Sequence, residues 1–112
     1  MSKQVKEYEQ NYTTIKHNPR IKFGLSNNDY CIANAIYHLQ NKPDSRFAGW
    51  YYGKAESLSK LFNFSRSATY NSLKKLQEKN LIERNIETGF LRTTKLWWDE
   101  FINDKITSKE VF

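Results

Sequence analysis

The sequence predicts one α+β domain that is mostly helical, and three observations support this fold class. The chain has 112 residues, 38% of them hydrophobic, which suits a single domain with one modest core. Apolar residues recur at helical spacing in several stretches between residues 27 and 79. After residue 80 they alternate instead, as in half-buried strands. A short β-hairpin is therefore expected to follow a group of helices.

Residues 1–20 are polar and are predicted to form an N-terminal arm or a short helix, whereas residues 21–112 form the main domain. Four apolar residues of the arm are spaced as on one face of a helix: Val5, Tyr8, Tyr12 and Ile15. We expect this stripe to end before Pro19, because the residue preceding a proline avoids the α region. Residues 21–25 alternate apolar and polar side chains and are therefore expected to be extended.

The first helix of the main domain is predicted over about residues 27–40. Ser26 is a suitable N-cap for it, and the carboxylate of Asp29 favours the first turn, because helix N-termini carry positive partial charge. The apolar face of this helix comprises Ile32, Ala33, Ile36, Tyr37 and Leu39, with Tyr30 at its edge. Residues 49–53, Gly-Trp-Tyr-Tyr-Gly, favour a strand but are too few to stand alone.

Two further helices are predicted. The first begins at Ala55 and is about eight residues long. The second covers about residues 66–79, with Ser65 as its N-cap. The inner face of the second helix comprises Thr69, Leu73 and Leu76. Asn63 and Asn80 follow the two helices, where a residue in the left-handed region is expected. Asparagine tolerates that region better than most residues.

The hairpin is predicted over about residues 81–96, with Gly89 supplying the positive φ of its turn. A C-terminal helix is predicted over about residues 97–107. Its apolar stripe comprises Trp98, Phe101, Ile102 and Ile106.

Residue usage argues against several classes of protein. A single cysteine, Cys31, cannot form an internal disulfide, and together with two separated histidines it does not make a structural zinc site. The sequence contains no apolar run long enough for a membrane span and no apolar leader, so a cytoplasmic location is expected. No carboxylate pair, glycine-rich phosphate loop or nucleophile–base motif stands out. We therefore expect no catalytic activity, no cofactor and no metal.

Residues 55–84 carry Leu-x-x-Leu-Phe, a three-residue turn, Ser-Arg-Ser, Leu-x-x-Leu and Leu-Ile-Glu-Arg in that order. This pattern resembles the winged helix-turn-helix of bacterial transcription regulators. The resemblance covers residues 55–95 and the helix before them. It implies a three-helix core with a helix-turn-helix at about 55–79, a β-hairpin wing at about 81–96 and a C-terminal helix. More loosely, the polar arm and the residues after the wing are similar to DNA-binding domains of phage or mobile-element replication initiators.

The charge distribution agrees with a polyanionic partner. The net charge is +6, and residues 54–95 hold nine Lys and Arg against four acidic residues. On the expected recognition helix, the candidate DNA contacts are Ser65, Arg66, Ser67, Tyr70, Asn71 and Lys74. At the start of the preceding helix and on the wing they are Lys54, Ser57, Arg84, Arg92 and Lys95, the last three expected on the wing strands. Arg suits guanine and Asn suits adenine, so Arg66 and Asn71 are the candidates for base readout.

The predicted function is binding to double-stranded DNA without catalysis, in transcription regulation or in replication initiation. The alternative is a winged-helix module that binds protein, because the chain has 17 aromatic residues, 3 Trp, 7 Tyr and 7 Phe, some of which could form an exposed patch. A homodimer through the terminal helices is left open, since such a dimer would read palindromic sites.

Overall fold

The computed structural model describes residues 12–40 and 49–103. Within these ranges the chain is mostly helical, with one two-stranded antiparallel sheet, so the predicted α+β class is confirmed. The elements are α1 (His17–Lys22), α2 (Asn27–Gln40), α3 (Ala55–Phe62), α4 (Arg66–Glu78), β1 (Ile82–Arg84), β2 (Leu91–Thr93) and α5 (Lys95–Trp97), which continues into a π-helical segment (Trp98–Ile102). No helix of the described residues is long and apolar enough to cross a bilayer.

Helix α1 corrects the expectation that residues 21–25 are extended. The helix continues through Lys22, and the chain then turns at Gly24, whose φ is +69°. Pro19 lies in the first helical turn, where backbone N–H groups have no partner within the helix, so a proline is tolerated there. Residues 12–16, the described part of the expected helical stripe, are not helical, and Val5 and Tyr8 lie outside the described residues.

Helix α2 has the predicted bounds and begins with a reciprocal cap. The Asp29 amide donates to Ser26 Oγ at 3.0 Å, and the Ser26 amide donates to Asp29 Oδ2 at 2.8 Å. The helix contributes Ile32 and Ile36 to the core, and Tyr30, expected at the edge of its apolar face, is also fully buried. Ala35, outside the predicted apolar face, is buried as well, so most of the circumference of α2 faces the interior.

Helices α3 and α4 are joined by residues 63–65, with Ser65 as the predicted N-cap of α4. Asn63 adopts the expected left-handed conformation, with φ 58° and ψ 40°. Asn80, after α4, has a φ of 62°. Between the two helices, the buried Ser59 hydroxyl donates to Thr69 Oγ1 at 2.8 Å. The angle between α3 and α4 is therefore held by a polar contact as well as by apolar packing.

The predicted hairpin is present but shorter than expected. In β1 and β2, Glu83 is paired with Arg92. On the other side of β2, Tyr51 and Leu91 exchange two backbone hydrogen bonds, of 2.6 and 3.0 Å. The side chain of Gln40, at the end of α2, accepts from the amide of Thr93 at 2.7 Å. Both ends of β2 are thereby bound to other parts of the chain, Leu91 to Tyr51 and Thr93 to Gln40.

Lys95 does not lie on the second strand, which corrects the prediction. Thr94 ends the extended segment, because its Oγ1 accepts from the amide of Trp97 at 3.3 Å and so caps α5. The C-terminal helix therefore begins two residues earlier than predicted, and its expected part beyond residue 103, including Ile106, lies outside the described residues. Trp97 and Phe101 are buried and stacked, with ring centroids 4.2 Å apart.

Candidate nucleic-acid interface

One side of α4 is buried and the other faces solvent, as the sequence predicts. Thr69, Leu73 and Leu76 are 0–2% exposed. The opposite side, called here the α4 face, consists of the exposed residues Arg66, Ser67, Tyr70, Asn71 and Lys74. These side chains can reach a partner without disturbing the core.

A single carboxylate holds α4 against the start of α2. Asp29 is buried and accepts hydrogen bonds from Ser72 Oγ and Lys75 Nζ, both at 2.6 Å, and from the Ser26 amide. Burial alone raises the pKa of Asp29, but the hydrogen bonds from Lys75, Ser72 and Ser26 together bring that pKa below its usual value. The carboxylate is therefore ionised at neutral pH and fixes the orientation of the α4 face.

The start of α3 is organised around Tyr51. The Tyr51 hydroxyl donates to the main-chain oxygen of Lys54 at 3.0 Å. Burial raises the pKa of Tyr51 to about 12, although a hydrogen bond with the Ser57 side chain opposes the shift. A Cβ on Gly53 would lie 2.6 Å from Cζ of the Tyr51 ring, so only glycine fits at this position. This packing leaves the Lys54 side chain exposed, while the Ser57 hydroxyl is engaged within the chain.

Three of the predicted DNA-contacting cations already have carboxylate partners. Arg66 Nη2 lies 2.8 Å from Glu56 Oε2, and Lys95 Nζ lies 2.9 Å from Asp99 Oδ2. Arg92 Nε lies 2.6 Å from Glu83 Oε2, on the neighbouring strand. The Arg92 guanidinium also stacks over the Trp50 ring, 4.2 Å from its centroid. All three pairs are exposed to solvent, so each stabilises the fold by less than about 1 kcal/mol.

Three other predicted cations are not neutralised in this way. Lys54, Lys74 and Arg84 are exposed and have no carboxylate partner within residues 12–40 and 49–103. Arg84 donates one hydrogen bond, from Nη1 to the main-chain oxygen of Gly89 at 3.1 Å, which holds its guanidinium at the hairpin loop. These three side chains provide the strongest attraction for phosphate among the predicted contacts.

The hairpin loop is hydrogen-bonded at its start and exposes an apolar side chain at its tip. Asn85 Oδ1 accepts from the amides of Glu87 and Thr88, at 2.8 and 3.0 Å. Gly89 has the predicted positive φ, of 80°. Ile86 is 96% exposed at the tip. Ile86 belongs to the predicted hairpin, but it lies in the turn, beyond the end of β1.

A cleft of about 430 Å³ opens between the start of α3, the α4 face and the hairpin. It brings together three predicted residues, Lys54, Tyr70 and Arg84. It also contains Tyr52 and Glu56, which sequence reasoning did not select. The other lining residues are Gly53, Ala55, Leu73, Thr88, Gly89, Phe90 and Leu91. Arg92 and Lys95 do not line it, and Ser65 uses its hydroxyl to accept from the Ala68 amide and cap α4.

Neither a protein-family model, nor a curated protein, nor a solved structure matches the chain. Within the described residues, no group of three or more His, Cys, Asp or Glu side chains is arranged to hold a metal ion.

Proposed function

We propose that the chain is a non-enzymatic domain that binds double-stranded DNA as a winged helix-turn-helix. In this proposal α3 and α4 form the helix-turn-helix, and β1 and β2 form the wing. The support is the order of the elements, the three-residue turn between the two helices and the hairpin that follows α4 directly. Domains of this kind serve transcription regulation and replication initiation, the two cytoplasmic processes that we propose for this one.

The observation that carries the proposal is the α4 face together with nearby cations that have no carboxylate partner among residues 12–40 and 49–103. Lys74 lies on α4 itself, Lys54 precedes α3 and Arg84 ends β1, so the positive charges come from three separate elements. The N-terminal half of α4 would enter the major groove, where Arg66 and Asn71 would contact base edges. Lys54, Lys74 and Arg84 would bind phosphates of the DNA backbone that borders that groove.

The salt dependence of binding tests this proposal. Each neutralised phosphate lowers the slope of log K against log salt by about 0.9. The wild-type chain should therefore bind a random duplex with a slope of about −3 or steeper, and a variant carrying K54Q, K74Q and R84Q should lose about three units of that slope. If no binding to random duplex is detected even at low salt, the proposal is wrong.

A matched control is provided by Lys79→Gln. Lys79 lies beside Gly24 and has no carboxylate partner among the described residues. It is five residues from Lys74, or about 140° around the helix. Removing this charge should leave the slope nearly unchanged, which separates a local interface from a general effect of net charge.

The alternative function, binding to protein, is favoured by apolar side chains that the terminal helices expose. Ile21 of α1 is 63% exposed and Trp98 of the π-helical segment is 45% exposed. The same residues would suit a homodimer, which would present two α4 helices to DNA. Selection from random duplex DNA distinguishes these arrangements. A palindromic site indicates a dimer on DNA, an asymmetric site indicates a monomer, and failure to enrich any sequence, together with no binding to random duplex at low salt, favours the protein module.

A further inference from the structure

The cleft beside α4 combines aromatic rings with positive charge. Tyr52 and Tyr70 line it with 48% and 50% of their surfaces exposed. The ring of Phe90 lies 6.2 Å from that of Tyr52, tilted by 58°. Below them, Leu73 and Leu91 are buried and form an apolar floor. A planar apolar group could therefore lie against an aromatic wall while its edges stay in water.

The charge in the cleft selects an anionic occupant. Lys54 and Arg84 have no carboxylate partner among the described residues. Glu56 is the one acidic residue among those that line the cleft, and its carboxylate is paired with Arg66 at 2.8 Å. The cleft thus presents two cations and a neutralised carboxylate beside its aromatic rings.

Aromatic rings next to cations are the arrangement with which proteins hold unpaired nucleotides, since every base has a face that can stack. A base inside a duplex has both faces covered by its neighbours, and taking it out of the stack costs a few kcal/mol. A base in a single-stranded flank is not subject to that cost. The volume of about 430 Å³ falls within the range of small-molecule sites.

We propose that this cleft binds one unpaired nucleotide, with its base against Tyr52 and Tyr70 and the phosphate that joins it to the duplex between Lys54 and Arg84. The occupant is the first nucleotide of a single strand that continues from a duplex. The proposal rests on the proposed function for the duplex part. It adds that the domain prefers a junction between double-stranded and single-stranded DNA over a blunt duplex.

The test compares a short blunt duplex with the same duplex carrying a few unpaired thymidines at its 3′ or 5′ end, measured by fluorescence anisotropy. Stacking of one base should make one of the two overhangs bind about tenfold tighter than the blunt duplex. Tyr52→Leu should remove this gain and leave binding to the blunt duplex unchanged. Trp98→Leu, which changes an exposed ring of the π-helical segment, should leave both affinities unchanged.

A second measurement does not depend on any variant. With 5-iodouracil as the first unpaired base, irradiation of the wild-type complex should crosslink it to Tyr52, Tyr70 or Phe90. Crosslinks confined to residues outside the cleft would overturn the proposal. Thymidine monophosphate that binds as tightly as the overhang would also overturn it, because the cleft would then be a site for free nucleotides.

The two proposals fail in different ways. If the blunt duplex binds and neither overhang binds more tightly, the assignment of the cleft is wrong and the duplex function stands. If an overhang or a single strand binds while the blunt duplex does not bind at low salt, the assignment of the cleft stands and the duplex function is wrong.

Discussion

Glu56 Oε2, on α3, lies 2.8 Å from Arg66 Nη2, at the start of α4. The carboxylate therefore restrains the side chain that is expected to contact a base. Both side chains are more than half exposed, at 51% and 66%. The pair orients Arg66, but it also places a negative charge where DNA phosphates would approach. Its loss should therefore be detectable in DNA binding as well as in stability.

Glu56→Gln should tighten binding to random duplex DNA. The substitution removes one repulsive charge and releases Arg66, and an exposed charge pair is worth up to about 1 kcal/mol, or about fivefold in affinity. The dissociation constant measured by anisotropy at low salt tests this expectation. Glu100→Gln, which breaks the ion pair with Lys22, is the control and should change little. Weaker binding of Glu56→Gln would show that the pair is needed to position Arg66.

Arg66→Lys should separate base readout from charge. Lysine keeps the positive charge but loses the planar fork that binds guanine through two hydrogen bonds. Affinity for random duplex should stay nearly constant, while preference at one base pair of the selected site falls by about 1–3 kcal/mol. Competition between the selected site and its single-base variants measures this preference. An equal loss on all sequences would make Arg66 a phosphate contact.

Asp29→Asn should destabilise the fold at neutral pH, by about 2–3 kcal/mol, since it removes charged hydrogen bonds to Lys75 and Ser72. The folded pKa of Asp29 lies below its ordinary value of 3.8. The contribution of this carboxylate is thus present above pH 3.8 and is lost as the pH falls through the lower folded value. Denaturant unfolding measured from neutral to acid pH should show the stabilities of wild type and variant converging at the acid end.

The control for Asp29→Asn is Asp99→Asn. Asp99 pairs with Lys95 at the surface, so its loss should cost less than about 1 kcal/mol. A gap between wild type and Asp29→Asn that stays constant into acid would contradict the assigned ionisation of Asp29.

Asn63→Ala should lower stability by about 1 kcal/mol, because alanine is strained in the left-handed region that Asn63 occupies. Asn63→Gly should be nearly neutral, since glycine adopts this conformation without strain. Thermal or denaturant unfolding measures both changes. Asn71→Ala, on the exposed side of α4, is the control and should be neutral or slightly stabilising, because alanine has the higher helix propensity. Equal losses for Asn63→Ala and Asn63→Gly would indicate that the asparagine side chain matters instead.

The elements with strong local signals could be predicted from the sequence. Ser26 and Ser65 mark the starts of α2 and α4, and the two left-handed asparagines mark the ends of α3 and α4. The sequence does not predict α1, because a proline ordinarily signals the end of a helix. Pro19 is compatible with α1 because it lies in the first helical turn. Lys95 was misplaced because the cap formed by Thr94 was not recognised.

The candidate site was less predictable, because its properties depend on contacts between elements. The exposure of Tyr70 and Asn71 follows from helical spacing, so it could be predicted. The pairing of Arg66 with Glu56 joins residues of two helices, and nothing in their separation of ten residues indicates it. The position of Tyr52 in the cleft likewise depends on how the chain before α3 lies beside the hairpin.

The first and last helical elements of the described residues meet on one aromatic cluster. The Phe23 ring lies 5.6 Å from that of Phe101, and Lys22 Nζ is 3.1 Å from Glu100 Oε1, a contact that spans 78 residues of sequence. The contacts between these two elements form only when both are in place, whatever the length of chain between them. Helix α1 and the π-helical segment should therefore come apart together, as one cooperative unit.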